Sequence, residues 1–341
     1  MKGAKFFSAV ICGVFLLGVG LAYAKPAQKV FKINLASTLP LGHHLERACY
    51  EFAKVVKEKT EGRVLVTVYP AGQLYKDKDL PEVIPTGACD MGMCNSDVWT
   101  GRDAALGLLT GNSFLFDGWE HCWRWSNNQE VRAALDATFK RFNCKFLGLM
   151  DYGTSTVIAK KKFLTVDDWK GTKLRAAGEI FAKGVMALGA RPTVISSAEQ
   201  YDALMKGVVD GVMTGPSTFV LRKLYEGAKY PLKEPLTLAI FVFLMNLDLW
   251  KSMPADIQAK VGEAARHSEL WAREACQKDE QGYWKQLEGP LKEKWGLEVY
   301  TVPKAEFTKW RDKVAPVLKE YLMKLSPDLS KKLFDRAEAT R

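Results

Sequence analysis

Apolar and polar residues alternate through Val30-Phe31-Lys32-Ile33-Asn34-Leu35-Ala36, the period of a half-buried strand. A loop, Ser37 to Gly42, follows. Leu45, Cys49, Phe52, Ala53 and Val56 then recur at helical spacing through Lys59, and Gly62-Arg63 closes that helix. Val64 to Pro70 reads as a second strand, Lys78 to Pro85 as a short helix, and Cys89 to Cys94 as a third strand. The alternation continues with a helix over Val131 to Phe142, a strand over Lys145 to Met150 and a capped turn at Thr165 to Trp169. Strands are predicted at Lys173 to Arg175, Pro192 to Ile195, Val209 to Met213 and Leu238 to Asn246, with helices at Ile180 to Leu188 and Ala198 to Lys206. After Pro254 the chain is nearly all helix, with Trp250, Ile257, Val261, Ala265 and Trp271 on one face. Strands alternating with helices predict an α/β architecture with a largely parallel sheet. No low-complexity linker separates the halves, so short hinge strands are expected at the domain crossings.

The N-terminus changes the picture. Lys2 and Lys5 precede the apolar run Phe6 to Leu21, which ends in Ala22-Tyr23-Ala24. A basic start, a short apolar stretch and an Ala-x-Ala end describe a Sec signal peptide cut after Ala24. The run falls short of the roughly 20 residues that a membrane anchor needs. Cys12 lies inside it, too early to be a lipid-attachment cysteine. Leu236 to Leu247, the longest later apolar run, is also too short to span. An exported, periplasmic protein is expected, long enough for two domains. The formal charge of +10 is scattered among acids, which argues against nucleic acid and allows weak steering of acidic ligands. Cys49, Cys89, Cys94, Cys122, Cys144 and Cys276 could be disulfide-bonded or buried as thiols.

Four blocks carry a resemblance. They are Phe52-Ala53 through Gly62-Arg63-Val64 with Tyr69-Pro70-Ala71-Gly72-Gln73-Leu74; Gly87-Ala88-Cys89-Asp90-Met91-Gly92-Met93; Asp168-Trp169-Lys170-Gly171-Thr172-Lys173-Leu174-Arg175; and Glu199-Gln200-Tyr201-Asp202-Ala203-Leu204 with Gly207-Val208-Val209-Asp210-Gly211. In this order and spacing the chain resembles the DctP-type solute receptors of tripartite ATP-independent periplasmic (TRAP) transporters, from about residue 30 to 325. The resemblance implies two α/β domains around a ligand cleft, joined by hinge strands and a long helix. Residues 28–152 and 241–280 would form domain I; 153–240 and 281–341 would form domain II. It also implies a small carboxylate ligand and, as partners, the small and large integral membrane subunits of the transporter. A monomer is expected.

The resemblance makes Arg175 the carboxylate clamp, and the chemistry agrees, because a guanidinium offers a rigid fork that meets a carboxylate in two parallel bonds. Other ligand positions carried over are Ser37 and Thr38, Asn95 and Ser96 with Cys94 beside them, Tyr152 and Ser155 at a domain crossing, Thr214 and Gly215, and Phe241. The departures matter. Many members have a second arginine where Ser155 stands, an asparagine where this chain has Gly215 in Thr214-Gly215-Pro216, and a pocket aromatic near Ser197. Relatives with a metal beside the ligand use an acid where Val212 and Met213 stand, so no metal and no cofactor is expected. A single clamp among Cys94, Tyr152, Phe241 and Phe243 favours a monocarboxylate with an apolar or aromatic tail over a dicarboxylate or sugar acid. A second charge, if present, would fall to His43 or Arg102.

Other constellations read as ordinary structure. His43-His44 has no third ligand spaced for a metal and is expected at solvent or at the pocket rim. Cys89 and Cys94 lack a partner pair for zinc. The Trp and Phe cluster from Phe114 to Trp125 reads as core and domain packing. No Gly-x-Ser-x-Gly, Walker or Gly-x-Gly-x-x-Gly element is present, so an enzyme is not expected. The competing readings are an exported α/β enzyme acting on an organic acid and a sensory receptor of the same fold.

Overall fold

The computed structural model describes residues 29–341, so the expected signal peptide lies outside the described residues. The first half runs β1 (Phe31–Ser37), α1 (His44–Lys59), β2 (Val64–Tyr69), α2 (Leu80–Val83), β3 (Met91–Asn95), α3 (Leu108–Gly111), α4 (Trp119–Asn127), α5 (Gln129–Arg141) and β4 (Cys144–Ala159). It continues with β5 (Lys173–Ala176), α6 (Glu179–Ala187), β6 (Arg191–Val194), α7 (Gln200–Met205), β7 (Gly211–Thr214), α8 (Pro216–Leu221), β8 (Tyr230–Pro231) and β9 (Thr237–Asn246). Helices close the chain: α9 (Leu247–Ser252), α10 (Ala255–Glu288), α11 (Pro290–Trp295), α12 (Lys304–Leu325) and α13 (Pro327–Ala339).

The strands order as β2-β1-β3-β9-β4-β7-β5-β6, with β8 beside β4. Parallel pairing is confined to the flanks, β1 with β2 and β3, and β5 with β6 and β7. The centre is antiparallel, because β9 lies between β3 and β4, and β4 meets β7 and β8. The sheet is therefore mixed rather than largely parallel.

The crossings also differ from expectation. β4 is one strand of 16 residues rather than a strand ending at Met150. It pairs with β9 through Ser155 and with β7 from Thr156 onward, so one uninterrupted strand serves both α/β lobes. Register shifts at Phe146/Gly148 and Asp151/Gly153 hid its period. Gly153 sits at φ +121, and a Cβ there would approach Glu280 Oε2 to 2.9 Å. Glu280 of α10 accepts from Thr154 N at 2.9 Å and so pins the bulge to the long helix.

Phe31, Phe52, Val56, Phe243, Ile257 and Val261 fill the core between the first lobe's sheet and helices α1 and α10. Ile158, Leu204, Val212, Phe219 and Leu287 form a smaller core in the second lobe. On the opposite face one apolar layer runs across both lobes, from Trp99 and Trp125 to Trp169, Ile180 and Trp310. The Trp119 to Trp125 stretch is α4, and its Trp125 Nε1 donates to Leu333 O of α13 at 3.0 Å. The six cysteines named above are all buried and free. Burial pushes the Cys49 and Cys94 thiols up to about 12, where they behave as small apolar groups.

A buried arginine in the interlobe cleft

β5 presents Arg175 at the seam between the lobes. Its neighbours on the strand, Leu174 and Ala176, go into the core, and the alternating period sends Arg175 to the other face. Arg175 is 2 % exposed. Nε donates to Ile195 O at 2.8 Å and Nη1 to Met213 O at 3.2 Å. These bonds fix the fork edge-on against the ends of β6 and β7. Nη2 has no acceptor among the described residues. Burial lowers the Arg175 pKa to about 10, an effect that Asp77 opposes, so the group stays charged.

Arg175 borders a cavity of about 30 Å³ between the lobes. Of the residues expected at the ligand, Thr38, Asn95, Tyr152, Ser155, Arg175, Thr214 and Phe241 line it. Ser37, Ser96 and Gly215 do not. The Ser37 side chain is fully buried one position behind Thr38. Ser96 Oγ is turned to Thr110 Oγ1 at 2.8 Å. Gly215 serves close approach instead: a Cβ there would meet Thr154 O at 2.8 Å, and its N–H donates to Tyr152 Oη at 3.1 Å. Cys94 Sγ accepts from Trp99 Nε1 at 3.4 Å, and Phe243 packs edge-on against Phe52 in the core.

Other lining residues gave little signal in sequence. Asp77 lies in a short turn, Thr110 in α3, Phe181 in the first turn of α6, Met213 in β7 and Ala239 in β9. Asp77 Oδ1 accepts from Ser196 Oγ at 2.9 Å and so bridges the lobes. Lys76 pairs with Glu199 across the same seam at 2.6 Å. Asp97, reaching over from the first lobe, accepts from Ile180 N at 2.9 Å and Phe181 N at 3.0 Å at the start of α6. Burial raises its pKa to about 7.

His43 and His44 are buried rather than at solvent or the rim. They extend a stack of rings, Phe241 on Tyr152 at 5.0 Å, Tyr152 on His43 at 5.2 Å, and His43 on His44 at 4.4 Å. His43 Nδ1 caps α1 by accepting from Leu45 N at 3.1 Å, so its proton is on Nε2, 3.0 Å from Ser217 Oγ. His44 Nε2 donates to Asp151 O at 2.8 Å. Burial holds the His43 pKa well below its usual value and lowers that of His44 to about 4, so both are neutral at pH 7. Tyr152 Oη is saturated by Thr214 Oγ1 at 2.9 Å and Thr218 Oγ1 at 2.7 Å. Arg102 is remote from the cavity, on Glu82 and Pro81 O. Among the described residues no three His, Cys, Asp or Glu side chains gather as a metal site, and no helix is long and apolar enough to cross a membrane.

The sequence profile of the DctP family, bacterial extracellular solute-binding protein family 7, matches residues 35–324. The chain belongs to this family. A DctP relative, the C4-dicarboxylate-binding periplasmic protein DctP of Rhodobacter capsulatus, is 26% identical over 301 residues, 87% of this chain and 86% of the relative. The fold matches a TRAP periplasmic solute-binding protein of Sulfurospirillum deleyianum with bound succinate at a TM-score of 0.84, 22% identity, and 92% and 100% coverage of this chain and that one. It matches a Bordetella pertussis extracytoplasmic solute receptor binding pyroglutamic acid at a TM-score of 0.84, 18% identity, and 91% and 100% coverage. DctP proteins are solute-binding receptors, and this chain has their two-lobed α/β architecture.

Proposed function

We propose that this DctP protein takes one small organic carboxylate between its lobes in the periplasm and delivers it to the integral subunits of a TRAP transporter, as a monomer and without catalysis. In this reading residues 1–24 are a cleaved export signal. Residues 28–152 and 241–280 close against 153–240 and 281–341. The carrying observation is Arg175, a buried guanidinium on the cavity with backbone carbonyls as its only acceptors among the described residues. A carboxylate is the partner that such a fork lacks. Its relatives carry succinate in one case and pyroglutamate in another, which supports an acid as the class without choosing the acid.

The favoured ligand is a monocarboxylate with an apolar or aromatic tail. Phe241, Phe181 and Met213 supply apolar wall, and Arg175 is the one arginine among the described residues on the lining. Neither His43 nor Arg102 provides a second charge, the first being neutral and the second distant. Calorimetry against an acid panel, with product analysis, tests this reading. Saturable binding of monocarboxylates without turnover is the expected result. Turnover would move the protein to the enzyme reading, and binding of succinate or sialic acid alone would overturn the ligand class.

A further inference from the structure

Three charged groups gather about the cavity without an ion pair to any other described residue. Arg175 and Asp77 line it. The third, Arg222, stands behind Thr38 at the end of α8 and donates from Nη2 to Thr38 O at 3.1 Å. Arg222 Nε is buried with no acceptor. Asp77 is 3 % exposed and, among the described residues, takes only Lys78 N, Ser196 Oγ and, at 3.4 Å, Ser197 N. The other charges nearby lie off the lining, among them buried Glu46, which accepts from Gly42 N at 3.1 Å. Lys76 and Glu199 pair with each other, and Asp97 is held by two backbone N–H groups away from the lining. The adjacent histidines are neutral.

Two guanidinium groups and one carboxylate leave one positive charge in a place that closure removes from water. A buried charge without a partner is costly, so a ligand that brings the sum to zero is favoured over one that overshoots. We propose that Arg175, Asp77 and Arg222 form a set whose single net positive charge makes the cleft select a monoanion over a dianion of the same shape. Asp77 and Arg222 are then specificity-determining residues that sequence comparison with the family did not mark. This rests on the receptor reading above and deepens it.

Succinate and succinamate test the idea, since they share shape and differ by one charge. Calorimetry on wild type should favour succinamate. Asp77→Asn keeps an acceptor for Ser196 and adds one positive charge to the set, and it should raise the succinate-to-succinamate affinity ratio about tenfold. Arg222→Met removes a positive charge and should lower that ratio by a similar factor. A ratio within one protein cancels any general loss of closure or stability. If Asp77→Asn does not fold, wild type and Arg222→Met still decide. A wild-type preference for succinate, or a ratio that neither variant moves while acids still bind, overturns the charge set and leaves the receptor reading intact. If neither probe nor any acid of the wider panel binds wild type, the receptor reading fails and takes this proposal with it.

Discussion

Beside β4, Glu269 of α10 is buried and receives Arg132 Nη1 and Nη2, each at 3.0 Å, and Arg266 Nη1 at 2.6 Å. Next to it Arg273 Nε donates to Asp151 Oδ2 at 3.1 Å, which also accepts from Trp123 Nε1 at 2.7 Å. In the cleft, Arg175 is buried as deeply and, among the described residues, meets only two carbonyls. The first cluster supplies its own counter-ions; the second leaves a place for one from outside. A cation matched within the fold works for stability, whereas one matched only by dipoles is available to a ligand.

The largest effect should come from breaking the matched cluster. Glu269→Gln strands several arginines and should cost about 3–5 kcal/mol of stability in urea unfolding, while the relative affinities for different acids stay as in wild type. A loss below 1 kcal/mol would mean that the network adds little. Arg175→Ala should do the reverse. It should weaken ligand binding by about 2–5 kcal/mol, yet leave unfolding within about 1 kcal/mol because no internal ion pair is lost. Binding within threefold of wild type by a folded variant would remove Arg175 from the clamp role.

The histidines add a third arrangement, burial without charge. His44 keeps a proton off Nδ1, which has no partner, and its pKa falls from 6.5 to about 4. The unfolded chain therefore binds more protons between those values. The His44 contribution is present above about pH 6.5 and is lost as pH falls through about 4, by roughly 2–3 kcal/mol. Asp97 and Asp151, raised to about 7 and about 6, act oppositely, stabilising at low pH and losing that as pH rises through those values. The test is thus the difference between wild type and His44→Gln from pH 7 to 4, with the variant less acid-sensitive. A pH-independent difference would refute it. The smallest effect belongs to the half-exposed Lys76–Glu199 bridge. Lys76→Ala should change ligand affinity by less than about threefold; a loss like that of Arg175→Ala would make this bridge the main closure contact.

The flanking strands and most helices follow from periodicity, because Phe31, Ile33 and Leu35 alternate cleanly and α1 buries one face. β4 was not legible beyond Met150, since two bulges shift its period and both of its faces are covered. Its antiparallel pairing with β9 depends on contacts about 90 residues apart, which local pattern does not encode. Family motifs led to Arg175 and to strand ends, and six further positions near them line the cavity. Ser37, Ser96 and Gly215 each stand one position from a lining residue, the distance that reverses a side chain. Asp77 lies in a Lys-Asp-Lys-Asp run that reads as solvated, and Arg222 in a Leu-Arg-Lys run that reads as helix surface. Both acquire meaning only when the lobes meet. His43 and His44 were misplaced because burial depends on Tyr152 and Ser217, more than 100 residues downstream.

The place of β9 bears on how the molecule is made. Synthesis delivers the chain from its N-terminus, yet the strand between β3 and β4 ends at Asn246. The first lobe also waits for residues near the opposite end, where His121 Nε2 donates to Ala337 O at 2.7 Å. A partly emerged chain can form α1 against β1 and β2, but it carries an open sheet edge and an uncovered apolar face. Such a nascent chain is open to association with other chains until β9 and α13 have arrived.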